Sequence, residues 1–370
     1  MEVNALKSHY RLIAAGDSYD ASKQDFEFVS LIKGFLTFHY KYPVILRVPF
    51  SFLFKLYFKL PFARRTHSNK KTVKYNYKIL KEKQFDLIIV HHLWDLPLVV
   101  KLARLKDVKI IFNAHEYYPL ECDDNERWMK KEHPILMQIA NKYFKDIDVC
   151  FCVGKIIADK YKEEFDLISI VITNAKPFYN LTQTLLKKGE RIKLVHHGVA
   201  LRMRNIELMI EMMNYLDDGY SLDLVLVGDE YGYLKELKAL ARKNINFVKP
   251  VSTTEISNFI NKYDIGVYIL PNNNFNNTYA LPNKFFEFVQ ARLAIAIAPS
   301  PEMAELVHKY DLGIVSDDFT PQSLAKKIKE LSAEKIMYYK NQSHKHAMDL
   351  SVEKTELLIK QTVDNLLTKN

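Results

Sequence analysis

Short apolar runs alternate with amphipathic segments along most of this chain, and this alternation predicts its elements. The clearest apolar runs of the first half are YRLIAAG, FDLIIVHH, VKIIFNAH and DVCFCVG, and helical patterns such as Leu96 to Leu105 separate them. The second half repeats the arrangement with IKLVHHG, LDLVLVGD, IGVYIL, LAIAIA and LGIVS. Strands that alternate with helices are typical of parallel sheets with crossover helices. The pattern therefore predicts an α/β protein with two doubly wound, Rossmann-like domains.

The length of the chain agrees with two domains, because 370 residues are more than one hydrophobic core usually serves. A polar stretch around Asn180 to Gly189 separates the two series of strands. We expect an N-terminal domain at 1–180, a C-terminal domain at 181–350, and a C-terminal helix at 351–370 that can pack back on the first domain. Parallel sheets bind ligands beyond the carboxyl ends of their strands, so the cleft between the domains is the expected site.

The segment from Leu281 to Met303 carries the most specific chemistry. Pro282 suits the first position of a helix, and the leucine before it has no side-chain oxygen to cap the first amides. Those amides, the helix dipole and Lys284 in the first turn together favour an anion such as phosphate. Asn283 and Glu287 share a helix face with Lys284. The alternative is an ordinary amphipathic helix that buries its aromatic residues.

Polar residues also follow two strands of the first half. His91 and His92 end one strand, and His115 with Glu116 ends the next. The carboxyl ends of parallel strands meet at one edge of a sheet, so these residues are expected to lie near one another. His115 is the preferred functional histidine because an acid and the turn YYP follow it, although a structural histidine remains the alternative.

Three strand ends of the second half offer further candidates. Gly198 closes the strand IKLVHHG, and Arg202 and Arg204 follow in the next loop. Glycine allows a ligand to approach the backbone closely, and the planar guanidinium of arginine suits phosphate. A solvated helix start is the alternative for the arginines. Asp229 ends the strand LDLVLVGD, where it is either part of the cleft or a helix cap.

Basic residues are concentrated in the N-terminal third of the chain. Positions 31–85 contain thirteen Lys or Arg and one acid, so this region alone exceeds the net charge of +9 of the whole chain. Within it, the segment YPVILRVPFSFLFKLYFKLPFARR (42–65) is too interrupted by charge and proline to span a bilayer. It is typical of a segment on an anionic membrane surface, with a core helix as the alternative. A nucleic-acid partner is not expected, because no nucleic-acid module is visible.

The cysteines and the N-terminus suggest the compartment. Cys122, Cys150 and Cys152 lack metal-binding spacing, and a sustained apolar run is missing from MEVNALKSHYRL. We therefore expect reduced thiols, no metal site, no signal peptide and a cytoplasmic location, with peripheral binding to the inner face of the membrane.

Taken in order, NAHEYYP, VHHG with its nearby arginines, LVLVGD, ALPNKFFEFVQA and PSPEM resemble glycosyltransferases of the GT-B fold, family 4. The resemblance covers the chain from about Phe85 to Val315. It implies a retaining enzyme that binds a UDP- or GDP-linked sugar mainly through its second domain, with no cofactor and no obligatory metal.

The resemblance also assigns roles to single residues. Glu287 is similar to the acid that holds the nucleotide ribose, Arg204 to the basic residue near the diphosphate, and His115 to the histidine near the donor sugar. Lys284 would lie at the same phosphate site. The remaining candidates on the donor side are Asn283, Arg202, Gly198, Asp229 and Tyr279.

This chain departs from the family pattern in several places. Tyr279 stands where the family has the earlier of two glutamates, Val199 replaces a basic residue, and Arg292 replaces a small residue in a turn. Only nine residues precede YRLIAAG. We therefore expect the first strand, its Gly-containing loop and most of its helix to be absent, and the chain as given to be poorly soluble or weakly active.

The expected acceptor is a lipid-linked or polysaccharide glycan, as in cell-surface polysaccharide biosynthesis. Two other functions stay open at this level. A nucleotide-sugar epimerase shares the fold but needs an acid and a base in the cleft and no second sugar. An inactive relative would act as a binding partner. Transfer or hydrolysis of nucleotide-sugars separates the three.

Overall fold

A computed structural model describes residues 5–6, 9–10, 13–16, 27–30, 70–187 and 189–368. Within these residues the predicted fold is confirmed: two α/β domains each contain a parallel sheet flanked by helices. The basic segment 42–65 and the predicted contact with a membrane lie outside the described residues. No helix in the described ranges is long and apolar enough to cross a bilayer.

The first domain contains a sheet of four parallel strands in the order β3-β4-β5-β6 and a separate parallel pair, β1-β2. Its described strands are β1 (Ile13–Gly16), β2 (Glu27–Ser30), β3 (Leu87–Val90), β4 (Lys109–Ala114), β5 (Val149–Cys152) and β6 (Ser169–Val171). Its described helices are α1 (Lys70–Leu80), α2 (Leu96–Lys106), α3 (Glu126–Lys131), α4 (His133–Tyr143) and α5 (Lys155–Phe165).

The second domain contains a sheet of six parallel strands in the order β12-β11-β10-β7-β8-β9. Its strands are β7 (Ile192–Val199), β8 (Tyr220–Val227), β9 (Ile245–Val248), β10 (Ile265–Tyr268), β11 (Ala294–Ile297) and β12 (Gly313–Val315). The helices that follow β7 are α6 (Glu207–Met212), α7 (Tyr233–Leu240), α8 (Ile256–Ile260), α9 (Phe275–Thr278), α10 (Asn283–Gln290), α11 (Pro301–Tyr310), α12 (Pro321–Lys329), α13 (Ala333–His346) and α14 (Val352–Leu367).

The sequence pattern misses β2, β6 and β9, and the last two are the outermost strands of their sheets. An edge strand is short and buries less of its surface, so it lacks the continuous apolar run that marks a central parallel strand. Accordingly Val171 of β6 is exposed, whereas the central strands β10 and β11 are buried along their whole length.

The chain order of the second sheet reverses between β7 and β10, which are neighbours although β8 and β9 lie between them in sequence. In a doubly wound sheet such a reversal opens a crevice at the carboxyl ends of the two strands, where ligands bind. The residues that end β7 and β10, including His197, Gly198 and Tyr268, therefore face the expected binding crevice.

Helix α10 is held against this reversal by its aromatic residues. Phe285, Phe286 and Val289 are buried, as predicted. Phe288 packs directly over Gly266 of β10, where a Cβ atom would lie 2.5 Å from the phenylalanine ring. Glycine at this position thus lets α10 approach the sheet closely enough to bring its first turn to the crevice.

The start of α10 differs by one residue from the prediction. Pro282 is the N-cap rather than the first helical residue, and its carbonyl oxygen accepts a hydrogen bond from the Phe285 amide at 3.1 Å. No side chain in the described part of the chain caps the helix. The first amides of α10 therefore lack an oxygen partner from a capping side chain.

The segment between β6 and β7 packs on the second domain through Arg292. This side chain is fully buried, and its guanidinium donates hydrogen bonds to the carbonyl oxygens of Tyr179 (2.5 Å), Leu181 (3.2 Å) and Gln290 (2.6 Å). Its backbone is left-handed, with φ of 61°. This conformation explains why the resembling family places a small residue here. The expected small residue is replaced by a side chain that ties the linker to the end of α10.

The C-terminal helix α14 packs on the first domain. Its buried residues Ile359 and Val363 form one apolar cluster with Ile111, Phe151 and Ile172 from the first sheet and the residue after it. The chain therefore crosses between the domains twice, once through the linker and once before α14.

Candidate functional site

The ammonium group of Lys284 lies at the centre of the crevice in the second domain. It is 3.1 Å from His196 Nε2 and stands 3.8 Å above the ring centre of Tyr268. It also lies beside Gly198, where a Cβ atom would be 3.4 Å from the Lys284 nitrogen. Burial and the nearby Arg204 hold the pKa of Lys284 well below its usual value. A cation in this setting gains stability from a bound anion.

The surroundings of His196 determine its tautomer. Its Nδ1 atom lies 3.1 Å from the carbonyl oxygen of Val267. A carbonyl oxygen only accepts, so Nδ1 carries the proton and Nε2 accepts a hydrogen bond from Lys284. Burial, together with the charge of Lys284, holds the pKa of His196 well below its usual value. His196 is therefore neutral and orients the Lys284 ammonium.

Glu287 is buried in the same region and has an ionic partner that the sequence pattern does not suggest. Its Oε1 atom lies 3.2 Å from the ammonium of Lys176, which belongs to the segment that joins the domains. Its Oε2 atom faces His197 Nε2 at 3.5 Å, and Nε2 has no hydrogen-bond partner among the described residues. Burial raises the pKa of Glu287, while Lys176 opposes the rise.

Arg204 is a cation whose charge acts on groups of both domains. Burial raises the pKa of Tyr268 in the second domain, and the positive charge of Arg204 opposes this rise. Its charge also reaches Glu116 in the first domain and Lys284. Two cations side by side at an uncapped helix start form a site that attracts a diphosphate.

Two other predicted donor-side residues have local partners. Arg202 forms a two-pronged ion pair with Glu236 of α7, with distances of 2.7 and 2.5 Å. Asp229 accepts a hydrogen bond from the amide of Leu234 in the first turn of α7, at 2.9 Å, in agreement with the alternative of a helix cap. Their roles in nucleotide binding stay predictions.

In the first domain, His91 and His115 lie together, as predicted from the ends of their strands. His91 Nδ1 is 3.0 Å from His115 Nε2, and the two rings stack. When both rings are neutral, one of these nitrogens donates and the other accepts. His115 is exposed and also lines the cavity between the domains.

That cavity measures about 250 Å³ and joins both domains to the linker. Asn283, the first residue of α10, reaches it from the second domain. The lining residues are Asn113, His115, Val153, Ile172, Asn174, Ala175, Lys176 and Asn283. Amide groups, an imidazole and an ammonium line a space large enough for a sugar-sized ligand, so its chemistry suits hydroxyl and phosphate groups.

Tyr279, which stands where the family has a glutamate, follows the last residue of α9. Its ring packs on Phe275 with ring centres 4.7 Å apart. A tyrosine offers one hydroxyl that donates and accepts, whereas a carboxylate accepts hydrogen bonds through two oxygens. The contacts to a donor sugar must therefore differ from the family pattern.

Sequence reasoning missed Lys176 and the role of His196. Lys176 carries no local signal, because a single lysine in a polar linker is ordinary. A signal for His196 is present in the VHHG motif. Two successive histidines within a buried apolar strand require polar partners on both faces of the sheet.

Glu116 supplies a prediction on pH dependence. Burial, reinforced by the charge of Glu121, raises the pKa of Glu116 from 4.5 to about 7, while Arg204 opposes the rise. A carboxyl whose pKa is raised by folding destabilises the folded state above that pKa and has no effect below its unfolded value. Glu116→Gln is therefore expected to raise the free energy of unfolding by about 1 to 3 kcal/mol at pH 8, and by much less at pH 5.

Urea denaturation followed by tryptophan fluorescence measures this change, because Trp94 and Trp128 both belong to the first domain. Glu126→Gln, on the exposed face of α3, is the matched control and should give equal changes at both pH values. An equal rise in the free energy of unfolding for Glu116→Gln at pH 5 and pH 8 would contradict the raised pKa.

Two family models match the chain in succession. The model described as Glycosyltransferase Family 4 matches residues 35–175, and the model described as Glycosyl transferases group 1 matches residues 180–347. Among curated protein sequences, none matches this chain.

Solved structures of other proteins share this fold. HepE of Anabaena, in complex with UDP and glucose, is 12% identical with a TM-score of 0.68, covering 100% of this chain and 95% of HepE. Sucrose-phosphate synthase from Thermosynechococcus elongatus is 14% identical with a TM-score of 0.68, and the match covers 100% of this chain and 92% of the synthase. A glycosyltransferase from Rickettsia africae is 12% identical with a TM-score of 0.63, and the match covers 100% of this chain and 94% of the Rickettsia enzyme.

At these identities the structural likeness establishes the fold, and the two family models establish the enzyme class. The order of the matched models also agrees with the two parallel-sheet domains and the cleft between them. Together they identify this chain as an enzyme, a family 4-like glycosyltransferase of the GT-B fold.

Proposed function

We propose that this enzyme transfers a sugar, with retention, from a UDP- or GDP-linked donor to a glycan or polyprenyl-linked acceptor in cell-surface polysaccharide biosynthesis. The observation that carries the donor proposal is the uncapped start of α10, with Lys284 and Arg204 beside it and Gly198 opposite. The solved structures of HepE with UDP, with UDP-glucose, and with UDP and glucose support a nucleotide-sugar donor.

Each residue at the crevice has a role in this proposal. The diphosphate lies at the first amides of α10, where Asn283, Lys284 and Arg204 neutralise it. Glu287 accepts hydrogen bonds from the ribose hydroxyls through the oxygen that faces His197. His115 approaches the donor sugar from the first domain. A divalent metal is not required, because the two cations supply the charge.

The chemistry follows from this charge arrangement. The bond between the anomeric carbon and the diphosphate oxygen breaks, the acceptor oxygen forms a new bond to that carbon, and the proton of the acceptor hydroxyl passes to the departing diphosphate. Negative charge grows on the departing diphosphate, so pre-positioned cations and amides lower the barrier.

A panel of nucleotide-sugars tests this function. UDP, GDP and ADP are first compared for the rise that each causes in the melting temperature, since a ligand that binds the native state stabilises it. The sugars of the best nucleotide are then offered with glycan and polyprenyl-phosphate acceptors, and nuclear magnetic resonance gives the anomeric configuration of the product. Inversion would contradict retention. Interconversion of the donor without transfer would support an epimerase, and binding without turnover would support an inactive relative.

We also propose that the basic segment 42–65 places the enzyme on the inner face of an anionic membrane. Neutralising Arg47, Lys55 and Lys59 is expected to weaken binding to phosphatidylserine vesicles by about 1 kcal/mol per charge. Added salt should weaken the parent in the same way. Vesicle sedimentation measures both effects.

Removing the same number of exposed charges from the second domain, at Lys243, Lys309 and Lys335, is the matched control. These changes should leave vesicle binding unaltered. A parent chain that sediments equally with neutral and anionic vesicles would contradict the membrane proposal.

A further inference from the structure

A small set of contacts joins the two domains, and we call it the clasp. It consists of Tyr117, Leu120 and Asp123 in the first domain and Phe275 and Asn276 in the second. The Oδ1 atom of Asn276 accepts a hydrogen bond from the Tyr117 amide at 2.8 Å. Its Nδ2 atom donates to the carbonyl oxygens of Tyr117 and Leu120, both at 3.2 Å. One side chain of the second domain thus binds the backbone of a first-domain loop through both its donor and its acceptor.

A side chain of the first domain likewise binds the backbone of the second domain. Both carboxylate oxygens of Asp123 lie within hydrogen-bond distance of the Phe275 amide, at 3.1 and 3.2 Å. The rings of Phe275 and Tyr117 pack with their centres 5.3 Å apart. Side chains of each domain therefore bind backbone amides of the other, and an aromatic contact joins the two sets of hydrogen bonds.

The position of this clasp along the chain gives it a consequence for the site. On the first-domain side, His115 and Glu116 directly precede Tyr117. On the second-domain side, α9, which carries Asn276, leads within a few residues to the start of α10. The clasp therefore fixes the loop of the candidate catalytic histidine relative to the helix that binds the donor.

We propose that Asn276 is a positioning residue for sugar transfer, which holds the His115 loop in register with the donor site on α10. The inference rests on the proposed function, because the register matters only when a donor sugar lies between the two. A displacement of about 1 Å at a reacting centre lowers turnover by as much as 10²-fold, so loss of this clasp should reduce kcat rather than donor affinity.

The sharpest variant is Asn276→Asp, which keeps the shape of the side chain. The new carboxylate still accepts from the Tyr117 amide but places an oxygen opposite two carbonyl oxygens, where the parent has a donor. Asn276→Ala removes all of these hydrogen bonds. The matched control is Asn272→Asp, which adds the same charge to an exposed asparagine of the same segment.

We expect both Asn276 variants to lose at least about tenfold in kcat, while the dissociation constant for the nucleoside diphosphate changes less than about twofold. Hydrogen–deuterium exchange reports the clasp without any need for activity. Peptides covering 115–121 and 273–279 should exchange faster in both Asn276 variants than in the parent. Their exchange rates should be unchanged in the Asn272→Asp control. Circular dichroism confirms that each variant is folded.

Several outcomes would overturn the proposal. Unaltered kcat in a folded Asn276→Asp variant would show that the clasp does not position the site, whether or not exchange increases. Equal losses in nucleotide affinity and kcat would show a local effect on the donor site instead. A parent chain that transfers no sugar would contradict the proposed function. An active parent with equally active variants would contradict only the positioning role of Asn276.

Discussion

Replacing Lys284 or Glu287 with alanine is expected to weaken binding of the nucleoside diphosphate about tenfold or more, since charge-assisted hydrogen bonds contribute about 1.5 to 3 kcal/mol each. Lys284→Ala removes the cation at the start of α10, and Glu287→Ala removes the proposed partner of the ribose. Glu287→Gln keeps an acceptor oxygen and is expected to lose less. Titration calorimetry measures the affinities.

Lys309→Ala is the matched control, because it removes an exposed lysine from the same domain. It should bind the nucleotide like the parent. Unchanged affinity in both folded site variants would remove the basis for the donor site at α10.

The lowered pKa of Lys284 adds a proton linkage to the same experiment. A bound phosphate favours the charged ammonium, so it raises the pKa that burial had lowered. Nucleotide binding is therefore accompanied by proton uptake, and affinity falls as pH rises through the interval between the unbound and bound pKa values. Calorimetry in buffers of different ionisation enthalpy measures the uptake, and Lys284→Ala should abolish this contribution.

Replacing Arg292 with methionine is expected to lower the free energy of unfolding by about 1 to 3 kcal/mol, the usual cost of leaving buried polar groups without a hydrogen-bond partner. The carbonyl oxygens of Tyr179, Leu181 and Gln290 would each lose their guanidinium donor. Burial lowers the pKa of Arg292 only to about 10, so the side chain is charged throughout the neutral range. Its charge also lies at the C-terminal end of α10, which the helix dipole favours.

Arg292→Gly separates backbone strain from hydrogen bonding. Glycine removes the strain of the left-handed backbone, but the Arg292→Gly variant still lacks the guanidinium and its hydrogen bonds. A net loss of stability is therefore expected. Asp107→Gly is the matched control, because Asp107 has a φ of 55° on an exposed helix end, and there the change should stabilise by about 1 kcal/mol or less.

The two tryptophans lie in the first domain, so tryptophan fluorescence follows that domain and circular dichroism follows both. The Arg292 variants should lower the midpoint by circular dichroism more than by fluorescence. If Arg292→Gly is as stable as the parent, the buried guanidinium does not hold the linker.

The prediction of the fold succeeded where local patterns carry the information. Apolar runs of parallel strands need no knowledge of their neighbours, because such strands are buried on both faces. The approach of His91 to His115 followed from one rule, that the carboxyl ends of neighbouring parallel strands meet. The side chains of α10 that share a face followed from helical spacing.

The prediction of the site was incomplete for residues whose partners lie far away in sequence. Glu287 pairs with Lys176, and Asn276 binds Tyr117, although more than a hundred residues separate each pair. Arg202 has the same residue type and nearly the same position as Arg204, yet it pairs with Glu236. Residue type alone could not distinguish these two arginines.

Local sequence patterns were enough to predict the two α/β domains, the strand ends at the crevice and the uncapped first turn of α10. Each follows from interactions within a few residues, such as the period of a helix, the alternation along a strand and the unpaired amides of a helix start. The partners of Glu287, the tautomer of His196 and the burial of Arg292 could be read only from the folded structure. Those depend on which distant groups burial brings together, and a buried charge or polar atom takes whichever partner the packing places within reach.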